Sequence, residues 1–120
     1  MKRIALFAGT TEGRRIAEYA AASGIHMDVY CATEYGTSLM PASEYLHPFT
    51  GRLDASMIRE ALRSRETGLC VDATHPYASE VSANIRKAAD EARESGITLE
   101  ELHEMVDLMY DGDRGGRFHH

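Results

Sequence analysis

Residues 2–14, Lys2-Arg3-Ile4-Ala5-Leu6-Phe7-Ala8-Gly9-Thr10-Thr11-Glu12-Gly13-Arg14, decide how this chain folds. Ile4 to Ala8 is a continuous apolar run, the signature of a parallel strand covered on both faces rather than one. Gly9 to Gly13 then reads as a turn. Ile16, Ala17, Tyr19 and Ala20 recur at helical spacing as far as Ser23-Gly24, a C-terminal stop. The order is strand, glycine turn, helix.

The same grammar continues. His26 to Thr33 reads as a second strand, with Val29 and Cys31 on one side and Tyr30 and Ala32 on the other; Glu34-Tyr35-Gly36 closes it. Thr37 to Tyr45 is ambiguous, a single helical turn ending near Pro41 being one reading, and Leu46 to Thr50 is a short third strand. Asp54 caps a helix over Ala55 to Arg65, whose apolar stripe is Met57, Ile58, Ala61 and Leu62. Leu69 to Ala73 is a fourth strand. Pro76 falls where the next helix should start, and Val81, Ile85, Ala88, Ala89 and Ala92 form that helix's buried face up to Gly96. Thr98 and Glu101 have capping-box spacing ahead of Leu99, Leu102, Met105, Val106 and Met109, which predicts an acidic amphipathic helix within residues 97–112 and a flexible tail over 113–120. Strands alternating with helices give an α/β domain over residues 1–96. The expected fold is a Rossmann-like, doubly wound parallel sheet of four strands in order 3-2-1-4, followed by the C-terminal helix.

Composition bounds the function. The 120 residues suit one domain. Apolar residues at 43% and charged residues at 27% are ordinary for a folded globular chain. No apolar run approaches the ~20 residues a membrane span needs, and the N-terminus lacks a secretory signal, so a cytoplasmic address is expected. Residues 1–89 carry ten basic and ten acidic side chains, while residues 90–120 carry three basic against nine acidic, so the net charge of −6 belongs to the C-terminal segment. Neither nucleic acid nor an anionic membrane is an expected partner. Cys31 and Cys70 lie in strand-like runs, where free buried thiols are commoner than ligands. No Cys/His spacing suits zinc, so no metal is expected, and no serine or cysteine nucleophile signature is present.

In a sheet of this order ligands bind beyond the carboxyl ends of the strands, at the switch point between strands 1 and 4. The Gly9 to Arg14 turn and the Asp72-Ala73-Thr74-His75-Pro76-Tyr77 loop meet there. The first can cradle an anion, because glycine admits close backbone approach and a helix N-terminus offers unpaired N–H groups. Only Gly9 fits the G-x-G-x-x-G pattern, since Thr11 and Arg14 hold the second and third glycine places. The Thr10 and Thr11 hydroxyls suit either a phosphate or the helix cap. Glu34 lies twenty-one residues past Gly13, where an acid can accept from a ribose hydroxyl, or it is a solvated turn residue. Were the ribose 2′-phosphorylated, a cation such as Arg52 would have to offset Glu34. His75 suits proton transfer or hydrogen bonding to a cofactor, or is a plain loop histidine beside a proline.

Four segments, Gly9-Thr10-Thr11-Glu12-Gly13-Arg14, Ala32-Thr33-Glu34-Tyr35-Gly36, Gly51-Arg52-Leu53-Asp54 and Asp72-Ala73-Thr74-His75-Pro76-Tyr77-Ala78, together resemble the precorrin-6A reductases of cobalamin biosynthesis, in that family's order. The resemblance implies NADPH-dependent reduction of a tetrapyrrole double bond, in precorrin-6A or its cobalt-bearing counterpart. It implies a dinucleotide held by Gly9, Thr10, Thr11, Glu12, Arg14, Thr33, Glu34, Arg52, Asp72 and Thr74, with His75 and Tyr77 at the reacting centre; that His75 donates the proton is an expectation from its chemistry and not part of the resemblance. Family members continue into a further strand and a second lobe. Here the chain after Gly96 turns to Ile97-Thr98-Leu99-Glu100-Glu101 and soon stops, so the expectation is a half enzyme whose second wall comes from a homodimer or another chain. The alternative is a noncatalytic nucleotide- or tetrapyrrole-binding module or interaction subunit on the same fold.

Overall fold

The computed structural model describes residues 2–102. Five parallel strands, β1 (Arg3–Phe7), β2 (Met27–Cys31), β3 (Leu46–Thr50), β4 (Thr67–Asp72) and β5 (Thr98–Glu101), lie in the order β3-β2-β1-β4-β5. The helices are α1 (Thr11–Ser23), α2 (Glu34–Ser38), α3 (Ala55–Ser64) and α4 (Ser79–Glu91). The doubly wound plan stands, with one more strand than the sequence indicated. Among the described residues no helix is long and apolar enough to cross a membrane.

The sheet has a core on each face. Leu6, Val29, Cys31 and Ala73 pack with Ala17 and Ala20 of α1, while Ala5, Phe7, Tyr30 and Cys70 pack with Ile58 and Leu62 of α3 and Ile85 and Ala88 of α4. β1 is apolar throughout its centre because both of its sides are covered, as its unbroken run requires. Leu6, Ile58, Leu62 and Ile85 are fully buried, each stabilising the fold by about 1.5–3 kcal/mol. Since α1 leaves β1 toward one face and α4 leaves β4 toward the other, a crevice opens above the boundary between these two strands.

Three local expectations are revised. Thr98–Glu101 is strand β5, paired in parallel with Leu69 to Asp72, and not the start of a helix. A short 3-10 turn over Arg93–Ser95, ended by Gly96 at φ 84°, turns the chain back to the sheet, and Arg86 on α4 grips Glu101 through both carboxylate oxygens. The rest of the expected 97–112 helix, and the 113–120 tail, lie outside the described residues. β2 ends at Cys31 rather than Thr33, because Thr33 caps α2 and Glu34 opens it. Pro76 does not begin α4; residues 75–78 form a turn closed by the Ala78 N–H on the His75 carbonyl (2.8 Å), and the helix starts at Ser79.

A buried charge was not anticipated. Asp28, in the middle of the apolar second strand, is fully buried and accepts hydrogen bonds from Arg3 (2.7 and 3.0 Å) and Arg65 (2.9 Å). Burial alone would raise its pKa, but the two guanidiniums hold it below the ordinary carboxylate value. This cluster stands at the amino ends of β1 and β2, away from the crevice, and ties β1, β2 and the α3–β4 connection together.

Candidate functional site

A cleft of about 560 Å³ opens at the carboxyl ends of β1, β2 and β4. Phe7 and Tyr30 form its apolar floor, with rings stacked at 4.8 Å, and Phe49 continues the stack at 5.1 Å from Tyr30. Burial pushes the Tyr30 phenol up to about 12 and raises the Cys31 thiol, so both hold their protons at neutral pH and neither serves as a nucleophile.

Two loops make the walls, and they are clasped together. The Thr10 hydroxyl donates to the Ala73 carbonyl (2.8 Å) and accepts from the Gly13 N–H (3.1 Å), so one side chain both caps α1 and fixes the first loop to the second. A Cβ on Gly9 would stand 3.4 Å from the Thr74 Cα, and one on Gly13 would stand 3.1 Å from the Ala73 Cβ. The Gly13 approach is tighter than a side chain ordinarily accepts, whereas a Cβ at Gly9 would make ordinary contact, so it is glycine at position 13 that lets α1 close on the second loop. Gly13 sits against the sheet, the packing function that the third glycine of the dinucleotide pattern serves elsewhere.

The second loop is fixed from below. Asp72 is fully buried, with Oδ1 accepting from the Thr74 N–H (3.0 Å) and hydroxyl (2.6 Å) and Oδ2 from the Ser82 hydroxyl of α4 (2.7 Å). These bonds anchor the base of the loop whose tip carries His75 and Tyr77. At the tip, His75 Nδ1 accepts from the Tyr77 N–H (3.2 Å), and the two rings lie 5.3 Å apart. With Nδ1 occupied as an acceptor, the neutral ring carries its proton on Nε2.

Of the residues singled out from the sequence, Gly9, Arg52, Thr74, His75 and Tyr77 line the cleft. Asp72 does not: its carboxylate is buried and accepts hydrogen bonds from Thr74 and Ser82. Thr10 and Thr33 use their hydroxyls as helix caps. Thr11 and Glu12 stand exposed in the first turn of α1 and Arg14 half-buried in that helix, with Glu34 exposed at the start of α2; none of these four side chains lines the cleft. Sequence reasoning missed Phe7, Tyr30 and Ser82. The signal was available for the first two, because the last apolar residues of adjacent strands that face one side of the sheet must floor any crevice there.

Several known proteins share this geometry. A CobK precorrin-6A reductase structure superposes with a TM-score of 0.70 at 27% identity, over 84% of this chain and 38% of that one. The chain therefore spans well under half the length of that enzyme. The Bordetella bronchiseptica enzyme WbmG, solved with NAD and UDP, superposes with a TM-score of 0.64 at 21% identity, over 82% of this chain and 36% of that one. The Thermus thermophilus UDP-glucose 4-epimerase, solved with NAD, gives 0.58 at 18% identity, over 81% and 36%. These two share the fold. No curated protein sequence matches. The precorrin-6x reductase CbiJ/CobK family matches over residues 3–103, a span that takes in all five strands, and this chain belongs to that family.

Proposed function

We propose that this chain binds NADPH in the switch-point cleft and forms the cofactor wall of a reductase that converts precorrin-6A, or its cobalt-bearing counterpart, to the dihydro form in cobalamin biosynthesis. One observation carries the reading: the clasped pair of loops sets the exposed Gly9 backbone beside the His75 backbone on the wall of one cleft, at the carboxyl ends of β1 and β4. Family membership supports the reaction. The NAD held by WbmG and by the UDP-glucose 4-epimerase, which share the fold, supports a nicotinamide cofactor.

The residues present suit such a group. The first-turn amides of Thr11 and Glu12 precede the capped Gly13 amide and point at the loop where a pyrophosphate belongs. Arg52, exposed on the cleft wall after β3, suits a 2′-phosphate, and Glu34, exposed at the start of α2, does not line the cleft. NADPH, when bound, supplies a hydride. His75 presents Nε2–H from the turn closed by the Ala78 N–H and can deliver the matching proton or hold the acceptor, while Tyr77, 88% exposed beside it, offers a flat apolar surface to a tetrapyrrole. The described residues build one wall; in this proposal a second wall from a homodimer or another chain completes the site, and the reaction runs in the cytoplasm.

The test is NADPH oxidation with precorrin-6A, by the chain alone and with a candidate second wall added. His75→Ala should keep its NADPH affinity within about twofold and lose roughly 10²–10⁴ in turnover. Unchanged turnover removes His75 from the mechanism, and cofactor binding with no turnover under any pairing turns the assignment to a noncatalytic binding module.

A further inference from the structure

The amino end of the sheet, opposite the cleft, gathers more positive charge than it balances. Arg3 and Arg65 both close on Asp28, each bringing Nη2 to Oδ1 (2.7 and 2.9 Å) and Nε to Oδ2 (3.0 and 2.8 Å). Four N–H groups crowd two oxygens, and the buried Arg65 Nε is out of line for a hydrogen bond despite its distance. Among the described residues Asp28 is the one carboxylate paired with either guanidinium, so two positive charges meet one negative charge. Both arginine side chains keep part of their surface in solvent, 30% and 32%. Two imidazoles border them. The register places His47 of β3 opposite Asp28, and His26, two residues before Asp28, reaches it: His26 Nδ1 and His47 Nε2 share one hydrogen bond at 3.1 Å. In such a pair one outer nitrogen is bare, and it can take a proton without breaking the shared bond; both outer nitrogens then donate, and the pair carries one positive charge. Burial and the Arg3 charge hold the His47 pKa below its ordinary value, with Asp28 opposing them, as a net positive field requires. Glu44 and Glu66, the nearest acids along the chain, are exposed and make no ion pair with these groups.

We propose that Arg3, Arg65, His26 and His47 form a site for a doubly charged oxyanion, a phosphate group, at the amino ends of β1, β2 and β3. The site is separate from the cleft and stands whether or not the cleft holds a dinucleotide. The Nη1 groups, which make no bond to Asp28, and the outer N–H of the histidine pair supply charge-assisted donors. One negative charge of the ion meets the uncompensated guanidinium, and the other meets the proton that the histidine pair takes from solvent. Phe49 follows His47 on the same face of β3, with the Arg65 guanidinium 4.8 Å over its ring, so an apolar surface adjoins the donors. A carboxylate, with a single charge, satisfies only half of the arrangement.

The experiment titrates the whole chain with inorganic phosphate at neutral pH, with sodium chloride at matched ionic strength as the control, and follows the imidazole C–H resonances of His26, His47 and His75. Phosphate should shift His26 and His47 along a saturating curve and leave His75, in the cleft, where it was. A shift that never saturates, or that chloride reproduces, is screening and overturns the proposal. A shift as large at His75 overturns it too, because the ion then has no preference for this end of the sheet. His47→Gln leaves the Arg3–Asp28–Arg65 anchor in place and should bind phosphate roughly tenfold more weakly, the loss of one charge-assisted bond; unchanged affinity overturns the proposal, and the wild-type titration stands without any variant. Acetate should bind wild type at least roughly tenfold more weakly than phosphate, and equal binding overturns the assignment to a doubly charged ion. Phenyl phosphate separates the two sources of such a group: tighter binding than inorganic phosphate assigns the site to a phosphate ester whose body lies on Phe49, and weaker binding assigns it to the free ion.

Discussion

Asp28 and Asp72 show how little a residue's type reveals before its surroundings are known. Both are carboxylates with no exposed surface, yet one is matched by two guanidiniums and the other by hydroxyls and an amide. Asp72 stands out in the sequence because it belongs to a loop motif at the predicted binding edge, but its orientation was not legible there. Nothing in Asp72-Ala73-Thr74 says that the side chain folds under the strand to Ser82 on α4, eight residues after Thr74. Asp28 gave its own signal, a charge inside the apolar run Met27 to Cys31, and such a charge demands a partner. The partner could not be named, since Arg3 and Arg65 are distant in sequence and only the β2-β1-β4 strand order unites them. A pH dependence follows. Asp28 has a folded-state pKa below that of the unfolded chain, so its stabilisation is fully present above the unfolded value and is lost as pH falls through the folded one. Asp28→Asn should cost roughly 2–3 kcal/mol at neutral pH, at the low end for a broken buried pair because Arg3 and Arg65 reach solvent. The gap between variant and wild type should hold from pH 7 to about 5 and close below about pH 4. Urea unfolding across that range measures it, and a gap that is constant down to about pH 2 would remove Asp28 from the acid response.

At the scale of elements, the strongly patterned units were readable and the edges were not. The β1 run, the Asp54-capped α3 and the apolar stripe of α4 each carry several agreeing signals. Thr98–Glu101 carries conflicting ones: the Thr-x-x-Glu spacing is that of a capping box, and Leu99 and Leu102 at i, i+3 fit a helix stripe. The deciding fact is nonlocal, an unpaired edge on β4 that Leu99 meets at Cys70. α2 is similar, five residues held by the Thr33 cap and too short for periodicity to register. The domain boundary read after Gly96 therefore cuts through the sheet. A chain ended at Gly96 loses β5, bares the β4 edge and strips Leu99 from the core on the α4 side. It should be less stable than a chain ended at Leu102 by about 2–4 kcal/mol, the sum of a lost edge strand's bonds and one apolar side chain, and should aggregate through the exposed edge. Comparison of the two by thermal unfolding and light scattering checks this; equal melting and equal solubility would mean that β5 adds nothing to the fold.

Taken whole, the molecule divides its tasks between the two ends of one sheet. The amino ends of β1 and β2 hold the ionic anchor, whereas the carboxyl ends carry glycines, free helix amides and an exposed histidine and tyrosine. Residues 1–89 balance ten positive charges against ten negative, so no overall field draws a polyanion to this region. In the proposed function a dinucleotide would be recognised by local groups, the α1 amides and Arg52, so its binding should depend on salt only weakly apart from the proposed 2′-phosphate contact. Binding of cofactor to the folded chain raises stability by RT ln(1 + [L]/Kd), about 2.7 kcal/mol at a hundredfold excess over Kd. For a domain of this size that corresponds to roughly 10 °C or more in Tm. NADPH should therefore raise Tm with no tetrapyrrole present, NADH should raise it less at equal concentration, and Arg52→Ala should remove most of the difference between them while leaving the NADH response in place. An Arg52→Ala chain that still prefers NADPH would assign the 2′-phosphate to another cation, and a Tm that neither cofactor moves at millimolar concentration would leave this sheet without a dinucleotide to hold.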